Sequence, residues 1–129
     1  MSDKLRNLLR LLHTALSRLD LALAQPVNEF VRDSCIQRFE FTFELFWKSV
    51  KAYAEESGLE AFSPRDSIRI AFQLGVIQES PEWFRMLEDR NLTSHTYNEA
   101  TADSIYSHLP TYTHLVRQAL EELTRRAKD

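Results

Sequence analysis

This chain is poor in turn formers: 129 residues hold two glycines and four prolines. An all-β domain needs many tight reversals built on such residues, so that class is excluded. Cysteine is rarer still. Cys35 stands alone, which rules out an internal disulfide and fits a reducing cytoplasm. No apolar run approaches the roughly 18 residues of a membrane-spanning helix, and Met1 leads into an amphipathic pattern with no signal peptide. The expected location is therefore cytoplasmic. Positive charge is not in excess either. The net charge of −3 argues against a domain that grips nucleic acid over its whole surface. Any RNA contact has to be local. Gly-rich phosphate loops, Walker lysines and Gly-x-Ser-x-Gly elbows are also missing.

What is present is helical periodicity on an ordinary globular balance of 43% apolar and 27% charged residues. Leu5, Leu8, Leu9, Leu12, Leu16, Leu19 and Leu23 recur at steps of three and four, the stripe of a first helix ending before Pro26. A second helix is expected from about Val27 to Ser57, stopping at Gly58, with Val31, Cys35, Phe39, Phe43, Phe46, Val50 and Tyr53 as its stripe. Phe41, Leu45 and Trp47 widen that arc beyond one neighbour's cover, which predicts a central position. Ser63-Pro64-Arg65-Asp66 opens a third helix through a capping box and a first-turn proline, and Gly75 ends it. Ser80-Pro81 repeats the entry for a fourth helix carrying Trp83, Met86 and Leu87.

Asn91, Thr93 and Ser94 are poor helix formers, so the fourth helix is expected to loosen near Arg90. Thr96-x-x-Glu99 reads as a capping box that opens the last helix at Tyr97. Ile105, Leu109, Tyr112, Leu115, Ala119 and Leu123 form its stripe, Pro110 is expected to kink it, and Arg125 to Asp129 to fray. The chain thus predicts one all-α domain over residues 1–129, an antiparallel up-and-down bundle of three long and two short helices.

One segment concentrates chemistry. Arg90-Asn91-Leu92-Thr93-Ser94-His95-Thr96-Tyr97 brings a fixed cation, an imidazole and a phenol within eight residues. On a continuous helix Arg90 and His95 stand roughly 140° apart, so a shared substrate requires a break between them. With that break, His95 could deprotonate a ribose 2′-hydroxyl while Arg90 steadies charge on the phosphorus, and no metal is needed. The competing reading pairs Arg90 with Asp89 or Glu88 and leaves His95 as a turn residue. Arg65 and Arg69, four apart on one helical face, could clamp phosphate, with Arg85 as a third member, or could pair with Asp66, Glu79 or Glu82. Glu40 and Glu44 lack the Glu-x-x-His partners of a di-iron bundle, so no metal site is expected. His13, His108 and His114 show no ligand spacing, and Cys35 reads as a small core residue. No cofactor is expected.

The Arg-x4-His-x-Tyr pattern of this segment resembles that of the HEPN helical domains. Three ordered segments are similar to the branch called nucleotidyltransferase substrate-binding proteins. They are Gln37-Arg38-Phe39-Glu40-Phe41-Thr42-Phe43-Glu44-Leu45-Phe46-Trp47-Lys48, Ser63 through Ile77, and Asp89 through Tyr97. The resemblance implies a helical bundle that forms a homodimer and pairs with a minimal nucleotidyltransferase encoded nearby. In the toxin branch it implies a metal-independent RNase, acting on RNA such as tRNA, that the partner silences by adenylylating the motif tyrosine. Carried over, Arg90 would stabilise the phosphate, His95 would move the proton, Asn91 would be the polar residue after the arginine, and Tyr97 would be modified. Two copies of the motif would meet at the dimer interface. The alternatives are a non-catalytic substrate-binding subunit of the same complex and a plain adaptor bundle.

Overall fold

The structure, a computed structural model, describes residues 1–128. Five helices run in order α1 (Asp3–Leu23), α2 (Glu29–Glu56), α3 (Pro64–Gln73), α4 (Pro81–Leu92) and α5 (Glu99–Ala127), with a 3-10 turn at Thr93–His95 before the last. The caps explain most starts. Ser2, Asn28, Ser63 and Ser80 each accept a hydrogen bond from a first-turn amide, and Pro64 and Pro81 open their helices. Gly58 and Gly75 take left-handed φ values of 82° and 72° just beyond α2 and α3.

Long-range pairs give the direction of each helix. Lys4 at the start of α1 meets Glu55 at the end of α2, and Asp20 near the end of α1 meets Arg117 of α5. Phe46 and Trp83 stack at 4.7 Å, while Asp89 meets His108 of α5. Helices α1, α2, α4 and α5 therefore alternate in direction as an up-and-down bundle, and α3 packs on α2 and α4 within the connection. As its wide apolar arc predicts, α2 touches every other helix. Its phenylalanines join residues of α5 and α4 in an aromatic spine: Tyr112, Phe39, Phe43, Phe46 and Trp83 follow one another at centroid spacings of 5.5, 6.3, 6.1 and 4.7 Å. Each such contact adds about 0.5–1.5 kcal/mol beyond area burial, more than an exposed ion pair supplies. No helix among the described residues is long and apolar enough to cross a membrane.

Helix α4 ends at Leu92 and passes into the 3-10 turn, so the α-helix is broken between Arg90 and His95 where the poor helix formers Asn91, Thr93 and Ser94 predict it. Two local expectations are corrected. Thr96 does not cap α5, and Tyr97 does not open it. Asn98, a stronger capping residue, accepts from Thr101 N–H and starts the helix at Glu99. The helix then runs to Ala127. Its end does not fray at Arg125: Arg126 donates to Leu74 O at 2.8 Å, to Tyr53 Oη at 3.3 Å and to Glu122 at 2.7 Å, tying the last turn to the end of α3. Asp129 lies outside the described residues.

This tether carries a pH dependence. Hydrogen bonds from Arg125 and Arg126 hold the Glu122 carboxyl at about 2, below its ordinary 4.5. A depressed carboxylate contributes stability that is present above the unfolded value and lost as pH falls through the folded one. The protection of the amides at the end of α5, measured against their intrinsic exchange rates, is therefore expected to fall between about pH 4.5 and about 2. In Glu122→Gln the protection should be lower already at neutral pH and lose that acid step.

Candidate functional site

Helix α4 carries the first half of the site and the turn after it carries the second. Arg90 lies in the last turn of α4, its guanidinium carbon 6.0 Å from the centroid of Phe43 in the aromatic spine. Its Nη2 donates to Glu44 Oε2 at 2.9 Å and its Nη1 donates to Asn91 Oδ1 at 3.2 Å. Glu44 is itself fixed: Trp47 Nε1 donates to the same oxygen at 3.0 Å and Lys48 lies 3.4 Å from the other. Burial disfavours its charge, but the bonds from Trp47 and Arg90 outweigh that and hold the carboxyl below its ordinary value. Arg90 keeps 32% of its side chain exposed, so a guest anion can still reach it. The partner is thus neither Asp89 nor Glu88 but a residue 46 positions away. Asn91 serves the arginine directly, as an acceptor for it.

Asp89 turns the opposite way. It is 6% exposed, and one of its oxygens accepts from Tyr112 Oη at 2.5 Å and meets His108 Nδ1 at 2.7 Å, both from α5. Arg85 Nε donates to Tyr112 Oη at 3.1 Å. Burial, then the bond to Asp89, pushes the Tyr112 hydroxyl well above its ordinary value, so it remains a donor. This latch fixes α4 on α5 one residue before Arg90. A second latch lies beyond the motif. Buried Arg32 of α2 bonds Glu99 at 2.6 Å and Asp103 at 3.0 Å, holding the first turn of α5. The segment from Arg90 to Tyr97 is therefore clamped at both ends.

Between the clamps, the Arg90 carbonyl accepts from Thr93 Oγ1 at 2.7 Å and begins the 3-10 turn. His95 ends that turn, and its carbonyl accepts from Asn98 N–H at 3.2 Å. The His95 ring is exposed and meets Tyr97 edge-on, with Nδ1 3.4 Å from the tyrosine hydroxyl. Tyr97 is 83% exposed. The other tyrosines are withdrawn: Tyr112 is buried, and Tyr53 and Tyr106 are half-buried. The structure brings His95 to Tyr97 and Arg90 to Asn91 and Glu44. Among the described residues no hydrogen bond joins the two halves directly.

Arg65 and Arg69 are both exposed on α3. Arg65 lies 5.3 Å over the Phe84 ring, and neither arginine forms an ion pair among the described residues. Arg85 does not join them, since it is spent on Glu82, Tyr112 and the Tyr112 ring. Among the described residues no contact brings this pair to Arg90. Cys35 is fully buried, and burial raises its thiol above the ordinary value, which fits a core residue.

Sequence reasoning missed Glu44 as the brace of Arg90, and the Asp89 and Arg32 latches. A signal for two of them existed. Asp89 falls at helical spacing from Trp83 and Met86, and Arg32 from Ile36 and Phe39, so each is a charge standing on an apolar stripe.

Residues 5–125 match the model of the family described as nucleotidyltransferase substrate binding protein like. The chain belongs to that family. A Haemophilus influenzae protein named probable ribonuclease HepT is 29% identical over 105 residues, covering 78% of this chain and 72% of the relative. A crystal structure of a Thermus thermophilus protein superposes with a TM-score of 0.81 at 43% identity, over 87% of this chain and 98% of that one. Another structure, from Haemophilus influenzae and described as revealing the fold of a substrate binding domain of a nucleotidyltransferase, gives 0.81 at 26% identity over 90% and 98%. Family membership covers the whole Arg90–Tyr97 site and both of its latches.

Proposed function

We propose that this family member is the HEPN-type partner of a nucleotidyltransferase, that it cleaves RNA without metal, and that adenylylation of Tyr97 silences it. The observation that carries the reading is the Arg90–Tyr97 segment itself. A braced guanidinium, an exposed imidazole and an exposed phenol stand on one clamped segment. Arg90 meets an RNA phosphate with the edges that Glu44 leaves open, and His95 takes the ribose 2′-hydroxyl proton. In-line attack then gives a cyclic phosphate. Asn91 steadies the guanidinium. Adenylylation of Tyr97 puts an anionic group beside His95, where the RNA phosphate has to lie. In a homodimer, two such segments would face one RNA strand. A relative's name as a probable ribonuclease supports the nuclease half, and a neighbour's description supports the nucleotidyltransferase half.

The test uses RNA in the presence of a chelator. The unmodified protein should leave cyclic phosphate ends, and preincubation with the neighbouring nucleotidyltransferase and ATP should stop it. Tyr97→Phe should remain active after that treatment. RNA left intact by the unmodified protein refutes the nuclease reading. It would favour the second reading, a non-catalytic substrate-binding subunit, which has the net charge of −3 in its support.

Arg65 and Arg69 are proposed as phosphate contacts outside the motif, being exposed cations with no carboxylate partner among the described residues. Replacing both with alanine should weaken RNA binding without regard to sequence. The slope of log affinity against log salt should become shallower by about 1.4, the value for two phosphates on a single strand. An unchanged slope would remove them from the site.

A further inference from the structure

We propose that His95 also accepts the phenol proton of Tyr97 when that hydroxyl attacks a nucleoside triphosphate held by the partner enzyme. The inference rests on the reading of Tyr97 as the nucleotidyl acceptor and deepens it. Its basis is the contact between the two rings. Tyr97 Oη lies 3.4 Å from His95 Nδ1, with ring centroids 5.9 Å apart and planes at 76°. The backbone between them is held by Asn98 N–H on the His95 carbonyl at 3.2 Å and by Thr96 Oγ1 on the Thr93 carbonyl at 3.3 Å. With the ring proton on Nε2, Nδ1 is an acceptor aimed at the hydroxyl.

A phenol is a weak nucleophile until its proton has somewhere to go. In the proposed step the Tyr97 Oη–α-phosphorus bond forms and the bond from that phosphorus to pyrophosphate breaks. The phenol proton passes to His95 Nδ1, and pyrophosphate leaves. No atom or electron is left unaccounted for once the triphosphate is supplied by the partner. The product holds an imidazolium beside a new phosphodiester anion, a favourable charge pair. The same imidazole thus serves both RNA cleavage and its own silencing.

The experiment follows initial rates of label entering Tyr97 from α-labelled ATP in the presence of the neighbouring nucleotidyltransferase. Wild-type protein, His95→Ala and His95→Gln are compared, with partner affinity measured in parallel. Both variants should be labelled about a hundredfold more slowly at unchanged partner affinity, and added imidazole should restore part of the rate to His95→Ala. His95→Ala labelled at the wild-type rate overturns the inference. A slow rate that imidazole does not lift, with partner affinity lost, overturns it as well by making the role one of docking. Wild-type protein that takes no label refutes the acceptor reading beneath it.

Discussion

His95→Ala is expected to abolish RNA cleavage while leaving the bundle folded. The ring is exposed and its side-chain contact is with Tyr97, so its removal opens no cavity and strands no buried group. Its loss removes the proton acceptor for the ribose hydroxyl, a contribution of about a hundredfold to ten-thousandfold. Single-turnover cleavage in chelator, with circular dichroism on the same samples, measures both quantities. Arg90→Ala should show a comparable loss of cleavage but a different cause. It removes the cation and leaves Glu44 with Trp47 and Lys48 as its remaining partners. Cleavage at the wild-type rate in His95→Ala would contradict the assignment.

The second large effect falls on stability. Asp89→Ala leaves the buried Tyr112 hydroxyl and the His108 ring without their shared acceptor, and is expected to cost about 3 kcal/mol. Tyr112→Phe removes one donor, leaves His108 on the carboxylate, and should cost about 1 kcal/mol. Denaturant titrations of the two variants give the comparison. Cleavage by whatever fraction of Asp89→Ala remains folded should also fall, since the latch sets the last turn of α4 from which Arg90 projects. An Asp89→Ala protein as stable as the wild type would mean that the latch carries no load.

Much of the bundle was legible because burial imposes helical spacing on the sequence. Leu5, Leu9, Leu12, Leu16 and Leu19 of α1 and the Phe39, Phe43, Phe46 and Val50 series of α2 occupy the core as their spacing predicts. Ser63-Pro64 and Ser80-Pro81 open α3 and α4 because cap and first-turn proline are local devices. The start of α5 was misread for a local reason too, since Thr96 and Asn98 compete as caps two residues apart and the better acceptor wins. The partners of Arg90 and Asp89 were not legible. Successive helical residues point about 100° apart, so Asp89 faces α5 and Arg90 faces α2. Neither Glu44 nor His108 can be found without knowing which helix lies on which side. The Arg90 to Tyr97 segment itself was readable as a cluster of chemically active side chains. What the fold adds is the clamp at each end, the brace on the guanidinium and the ring contact between His95 and Tyr97.

The claim on which the account turns is that this clamped segment is the place where a nucleotidyltransferase acts on the protein. Peptide mass spectrometry after incubation with the neighbouring nucleotidyltransferase and ATP tests it directly. A single adenylyl addition on Tyr97 is expected. An unmodified Tyr97, or the added mass on another residue, would contradict it.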